Sequence, residues 1–155
     1  MLFRSAQIIR HGTDWSQVEH NWRWLACNAE SLSISTTVTN LSIMQLCPLL
    51  AMSREIHPTS IAPLGRHGDQ GFDHGLGLAN EPWISALNWP PDLRPAVIEH
   101  LDCCLDLGLD SRLAKSVQAI QASLQAHEFN AQQWQRSEQY RTLLDQIRKI
   151  GRAHV

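Results

Sequence analysis

Residues 32–64 read LSISTTVTNLSIMQLCPLLAMSREIHPTSIAPL, and this stretch decides the fold class. Residues 32–39 are rich in β-branched side chains and alternate between polar and apolar, which predicts a strand. Residues 42–53 have a helical pattern, although Pro48 lacks an N–H donor and restricts the residue before it. Residues 56–64 predict a second strand, which two prolines confine to a short length or a sheet edge. Strand, helix and strand at this spacing predict a parallel βαβ unit and an α/β fold.

The sequence before this unit predicts two helices in succession, over residues 4–11 and 14–28. Gly12 ends the first helix, because glycine adopts the left-handed conformation without a Cβ clash. Thr13 or Asp14 can cap the second. The second helix has a face of apolar side chains at helical spacing, formed by Trp15, Val18, Trp22 and Leu25.

The C-terminal half predicts a loop followed by helices. Residues 65–81 contain five of the eight glycines, which predicts a long loop with no stable helix or strand. Residues 82–87 predict a brief strand. Two adjacent prolines then start a helix over residues 92–107, and a glycine separates it from a helix over residues 111–127. A last helix is predicted over residues 130–149, with Asn130 as its N-cap.

Composition excludes several classes of protein. A length of 155 residues suits one domain, and 43% hydrophobic residues are enough for a core. The net charge of −2 has scattered signs and offers no basic surface for nucleic acid. No apolar run approaches the roughly 18 residues that span a bilayer, and the start lacks the layout of a signal peptide. The four cysteines have irregular spacing, which predicts reduced thiols and a cytoplasmic protein.

Three motifs carry a resemblance to a known family. Residues 4–15 have the pattern R-x-A-x-x-I-R-x-G-T-D-W, which resembles a segment after the fourth barrel strand of radical SAM enzymes of the SPASM/twitch-domain type. The strand, helix and strand of residues 32–64 follow in the expected order. Residues 143–148, LLDQIR, resemble the leucine–aspartate–arginine element that closes many members. The resemblance covers residues 4–64 well and residues 82–149 loosely.

The resemblance implies a fragment of a partial parallel (β/α) barrel with a helical C-terminal tail. Residues 1–64 would be the later βα units, residues 65–81 a glycine-rich loop, and residues 82–149 a mostly helical region. Residues 150–155, IGRAHV, look like translated sequencing-adapter read-through, as met in environmental assemblies; the alternative is a frayed helix end. The chain is therefore predicted to be an interior piece of a longer protein.

The resemblance also implies an activity for that longer protein. Radical SAM enzymes reductively cleave S-adenosylmethionine to a 5′-deoxyadenosyl radical, which abstracts hydrogen from a peptide or small-molecule substrate. The family's [4Fe–4S] cluster is held by cysteine thiolates spaced CxxxCxxC, and this chain has no such spacing. Auxiliary-cluster cysteines are also missing. The fragment alone is thus predicted to be inactive, with no catalytic residue and no metal ligand of its own.

The resemblance assigns four residues to the binding of S-adenosylmethionine. Arg10 would lie near the carboxylate of the cofactor, since a guanidinium pairs bidentately with a carboxylate. The alternative is a surface arginine that the helix dipole favours. Thr37, Val38 and Asn40, at the end of the first predicted strand, would approach the adenosine moiety, as ligands gather at the carboxyl ends of barrel strands. The alternative is an ordinary buried strand.

Two further hypotheses come from side chains outside these motifs. The loop that contains His67, Asp69, Asp73 and His74 could bind a divalent metal, or it could be solvated with no ligand. The six tryptophans could mark the partner-binding surface of a non-catalytic helical interaction module, or they could belong to the core.

Overall fold

A computed structural model of the chain describes residues 14–29, 31–56 and 71–153. These residues form five α-helices, two strands and two short 3₁₀ helices. In chain order the elements are α1 (Trp15–Asn28), β1 (Ser31–Val38), a first 3₁₀ helix (Ile43–Gln45), α2 (Leu46–Ile56), β2 (Gly71–Leu78), a second 3₁₀ helix (Pro82–Ile84), α3 (Arg94–Leu105), α4 (Ser111–Ala126) and α5 (Ala131–Ala153).

The two strands form a parallel pair, which confirms the predicted α/β class with a parallel sheet, although the second strand is not the one predicted over residues 56–64. Pairing runs in register from Ser31 opposite Gly71 to Val38 opposite Leu78, and α2 lies between the strands in the chain. The pair is a two-stranded sheet within the described residues. The partial barrel that the resemblance implies therefore stays a prediction.

The second strand lies where the sequence predicts a loop, so that prediction is wrong for Gly71–Leu78. Gly75 and Gly77 pair with Ser35 and Thr37, and a Cβ added at either glycine would meet nothing within 4 Å. The glycines therefore occupy a sheet face that no described element covers. His74, just before Gly75, is buried on the opposite face, and Leu76 between the two glycines packs against the core there, so packing outweighs the low strand propensity of glycine.

Two other predicted strands also need correction. Ile56 is the last residue of α2, so a strand does not begin there, and residues 57–64 lie outside the described residues. The predicted strand over residues 82–87 is a 3₁₀ helix instead, and only Ser85 forms a bridge, to Thr39. Prolines explain the second result, because Pro82 at the start of a helical turn needs no N–H donor.

The predicted helices in the described residues are confirmed within a few residues, and their capping is visible. Asp14, Asp110 and Asn130 each accept backbone N–H bonds at 2.9–3.0 Å, which caps α1, α4 and α5. Gly108 follows α3 with φ of 66°, the left-handed conformation that favours glycine. The predicted helix over residues 4–11, with Gly12, lies outside the described residues.

The core lies between one face of the sheet and helices α2, α3 and α4. Its members are fully or almost fully buried: Val38, Ile43, Leu46, Leu50, Ala86, Val97, Leu101, Cys104, Leu113, Val117, Ile120 and Leu124. Helix α5 packs instead on the second 3₁₀ helix. Among the described helices, none is both long and apolar enough to cross a membrane.

Candidate functional site

The end of β1 turns sharply through a pair of hydroxyl side chains. Thr39 Oγ1 accepts hydrogen bonds from the backbone N–H groups of Leu41 (3.2 Å) and Ser42 (3.1 Å). The Ser42 hydroxyl accepts a bond from the Thr39 backbone N–H at 3.0 Å. Thr39 also forms a bridge with Ser85, which places the end of the second 3₁₀ helix against the carboxyl end of β1.

Asn40 is the polar residue at the centre of this junction. Its side chain is only 6% exposed, and its backbone N–H donates to the Ile84 carbonyl at 3.1 Å. The side-chain Nδ2 donates to Ser137 Oγ at 2.9 Å and to the Trp83 carbonyl at 3.3 Å. Asn40 therefore joins the carboxyl end of β1 to the second 3₁₀ helix and to α5.

The Asn40 amide has a defined orientation. The Trp83 carbonyl can only accept, so it must face the Asn40 amide nitrogen rather than its oxygen. The amide oxygen Oδ1 is consequently turned away, and it is buried with no hydrogen-bond partner among the described residues. A buried acceptor without a donor costs free energy on the order of 1–3 kcal/mol unless water or a ligand satisfies it.

Asn40 is not alone in this respect. We define the aromatic seam as the contact between residues 82–94 and the first half of α5. It is anchored by Asn88, whose amide donates to the Asn130 carbonyl (3.1 Å) and accepts from the Asn130 N–H (2.9 Å). Three buried polar atoms of the seam have no partner among the described residues: Gln133 Oε1, Trp89 Nε1 and Arg94 Nη2. A fourth is Oδ1 of Asn40, which we call the rim of the seam because its amide bonds to Trp83 and Ser137. The seam is thus the contact in which the fold satisfies polar groups least.

Aromatic rings form the walls of the seam. Trp83 and Tyr140 meet edge to face with centroids 4.8 Å apart, and the Arg136 guanidinium lies 5.6 Å from the Trp83 ring centroid. Trp89 and Trp134 contact each other at 5.2 Å. The tryptophans of the seam are half-buried, so their rings combine packing with access for a planar group.

The second polar cluster of the chain surrounds His74 on β2. Its Nε2 lies 2.9 Å from Thr36 Oγ1, and its Nδ1 lies 3.1 Å from Ser53 Oγ. The Trp22 ring contacts the imidazole edge at 6.4 Å. These contacts join β1, α2 and β2 through the two ring nitrogens of one imidazole. Because both imidazole nitrogens and the Ser53 hydroxyl have hydrogen-bond partners within the fold, the cluster is structural.

This geometry corrects the hypothesis of a metal-binding loop for two of its residues. Asp73 and His74 lie in a strand, and the His74 nitrogens contact hydroxyl groups. His67 and Asp69 lie outside the described residues. Within residues 14–29, 31–56 and 71–153, no three His, Cys, Asp or Glu side chains form a group that could hold a metal ion.

A third cluster contains Cys47, Cys104 and His100 between α2 and α3. The Cys104 thiol donates to the His100 carbonyl at 3.4 Å, and burial raises the pKa of Cys47 and raises the pKa of Cys104 to about 12. Burial also lowers the pKa of His100, whose Nε2 accepts the Cys47 backbone N–H at 3.4 Å. A neutral imidazole and protonated thiols do not make an activated nucleophile. This cluster belongs to the core.

The predicted cofactor residues do not share one surface. Arg10 lies outside the described residues. Thr37 is exposed on the uncovered sheet face, whereas Val38 is 1% exposed and belongs to the core. Asn40 alone combines burial with an unsatisfied polar atom, and the partners that bury it could not be read from the sequence. From the sequence, Trp83 and Trp89 are predicted only to belong either to the core or to a partner-binding surface.

Comparison with known proteins adds no relative. No protein family model matches the chain, and neither a curated protein nor a solved structure matches it.

Proposed function

We propose that this chain carries the adenosine-binding wall of a radical SAM enzyme of the SPASM/twitch type. The proposal rests on the sequence motifs and on one structural observation, the unsatisfied Oδ1 of Asn40 after a parallel strand. Ligands of parallel α/β folds bind beyond the carboxyl ends of the strands. The intact protein would act on a peptide or a small molecule.

The chemistry of Asn40 suits an adenine ring. The exocyclic amino group of adenine is a donor, and Asn40 Oδ1 is an acceptor without a donor among the described residues. Asn40 is bonded to the backbone of Trp83, a residue whose half-buried indole belongs to the same seam. An aromatic face and a fixed acceptor are the usual elements of nucleobase recognition.

The described cysteines do not fit an iron–sulfur cluster. Burial raises the pKa of Cys104 to about 12 and also raises the pKa of Cys47. Cys27 and Cys103 are exposed on different helices. Thiolate ligands need a shared site that deprotonates them. We therefore assign the cluster of the proposed enzyme to no residue of this chain.

A titration with S-adenosylhomocysteine tests the adenosine wall, because this probe carries adenosine and does not require a cluster. We expect binding that quenches tryptophan fluorescence and that competes with adenosine. Asn40→Leu removes the acceptor and should weaken binding at least tenfold, which corresponds to about 1.4 kcal/mol. Ser137→Ala is the matched control, since it removes a partner of Nδ2 and leaves Oδ1 in place.

Two results would contradict the proposal. One is the absence of saturable binding of S-adenosylhomocysteine to the folded chain. The other is equal binding by the native chain and Asn40→Leu. If Asn40→Leu fails to fold, circular dichroism will reveal it, and saturation-transfer NMR of the native chain still reports whether the adenine protons contact the protein.

A helical interaction module is the second candidate function, and exposed apolar side chains favour it. Trp24 is 58% exposed on α1, and Leu143 is 50% exposed on α5. Exposed apolar groups of this size mark interaction surfaces when they are contiguous. Light scattering across a hundredfold range of concentration distinguishes the candidates, because only the module predicts self-association or partner capture without nucleoside binding.

A further inference from the structure

Helix α5 lies outside the aliphatic core of the protein. The buried apolar side chains of the core come from the other described elements, and none comes from α5. Among the described side chains of α5, Ser137 alone is buried, and it is polar. Helix α4, by contrast, buries Leu113, Val117, Ile120 and Leu124. Because packing of an apolar face supplies most of the stability of a helix in a protein, α5 is held less strongly than α4.

The contacts that hold α5 are polar or aromatic. The hydrogen bonds across the seam join Asn40 to Ser137 and Asn88 to Asn130, at 2.9–3.1 Å. The two ring pairs of the seam add contacts between aromatic side chains. When the helix leaves, water replaces each of these hydrogen bonds, so their net contribution to docking is small.

The same contact seals polar groups that have no partner. Gln133 Oε1 on α5, Trp89 Nε1 and Arg94 Nη2 are buried without a hydrogen-bond partner among the described residues. Each group has lost its contact with water and gained no bond in exchange, which disfavours the docked helix. The Gln133 oxygen regains water when α5 leaves, and the Trp89 ring loses its contact with Trp134. Desolvation therefore opposes the docking of α5.

We propose that α5 is a detachable strap, which leaves the rest of the protein in a local opening while the core of α2, α3 and α4 stays folded. Local openings occur where few buried apolar contacts hold an element. The opening uncovers the parts of Trp83 and Trp89 that contact α5, and it frees the Asn40 amide from Ser137. An aromatic and polar surface that the closed protein hides is thereby exposed. The proposal depends on the contacts of α5 and not on the proposed function.

Native-state hydrogen exchange of the whole chain tests the opening. It is followed in ¹⁵N–¹H spectra at urea concentrations below the unfolding transition. A detached α5 lacks the packing that keeps a helix of this length ordered in water, so its amides lose protection. We expect the amides of residues 135–140 to exchange at least about thirtyfold faster than those of residues 117–124 on α4, and with a weaker dependence on urea.

A matched pair of variants on α5 tests the physical cause. Gln133→Met removes the sealed oxygen, so it should slow exchange of the α5 amides about threefold and leave the α4 amides unchanged. Gln135→Met makes the same substitution at an exposed position of the same helix, and exchange should stay as in the native chain.

The proposal is overturned if the α5 and α4 amides exchange at the same rate and with the same dependence on urea. That result would mean that α5 leaves only when the whole protein unfolds. It is also overturned if the α5 amides exchange equally in Gln133→Met and Gln135→Met. The measurement uses no ligand, so its outcome is independent of the titration with S-adenosylhomocysteine.

Discussion

The core and the aromatic seam bury polar groups in opposite ways. On the core side of the sheet, the His74 imidazole has a hydroxyl at each nitrogen, and the buried core residues contain no aromatic ring. In the seam and its rim, four buried polar atoms have no partner among the described residues, and the packing is aromatic. The difference teaches that burial alone does not identify a site. A polar group that the fold satisfies serves stability, whereas one that the fold leaves unsatisfied weakens the contact that buries it.

The largest effect should come from the apolar core. Leu50 is 1% exposed on α2, so Leu50→Ala should lower the free energy of unfolding by about 3 kcal/mol through lost burial and a cavity. Urea unfolding followed by circular dichroism measures the change. Leu143→Ala, at a position 50% exposed, is the control and should cost less than about 0.5 kcal/mol. Equal costs would mean that the core lies elsewhere.

The second-largest loss of stability should come from the hydrogen-bonded cluster around His74. His74→Leu removes the partner of the buried Ser53 hydroxyl and should cost about 2 kcal/mol. Adding Ser53→Ala removes the hydroxyl that His74→Leu leaves unpaired. The double variant should therefore lose less stability than the two single variants lose when their losses are added. Urea unfolding of all four proteins completes the cycle. Strict additivity would show that the Ser53–His74 contact contributes nothing.

The buried thiol should give a smaller effect that depends on pH. Burial raises the pKa of Cys104 from its ordinary value near 9 to about 12. Between these values the unfolded thiol loses its proton while the folded thiol keeps it, so stability falls as pH rises above 9. At pH 10 we expect a loss of about 1 kcal/mol relative to pH 8, beyond that of Cys104→Ala measured in parallel. Parallel pH curves for the two proteins would contradict the burial of this thiol.

A substitution in the seam should change stability least, and it should stabilise the protein rather than destabilise it. Gln133→Met replaces an unsatisfied buried acceptor with an apolar chain of similar length, so stability should stay equal or rise by up to about 1 kcal/mol. Thermal unfolding without ligand measures this. A clear loss of stability would mean that the Gln133 oxygen has a hydrogen-bond partner. The seam would then satisfy its buried polar groups as the core does.

The sequence predicted elements well where a local signal is strong. The side chains of Asp14, Asp110 and Asn130 cap helices by bonds within three residues, so the helix starts follow from local chemistry. Gly108 likewise ends α3 locally. β2 was missed because the pattern FDHGLGL alternates with glycine rather than with polar side chains, and glycine carries no strand signal.

The candidate site was predicted only in part. Asn40 was selected through a resemblance, and nothing in its neighbourhood along the chain shows that Oδ1 is buried and unpaired. Its partners Trp83 and Ser137 are 43 and 97 residues away. The unpaired nitrogens of Trp89 and Arg94 were missed altogether, because an unsatisfied donor can be recognised only when all possible acceptors have been located in space.

By itself, the sequence determined the helices of the described residues, the first strand and the parallel βαβ class. These depend on side chains that act within a turn or along one strand. Tertiary structure alone decided that a glycine-rich segment is the second strand, since its pairing with β1 and its packing on one face are non-local. It also decided which polar groups are satisfied. Hydrogen bonds between distant residues form only when the helices pack, and what they leave unpaired is the most specific indication of a ligand in this protein.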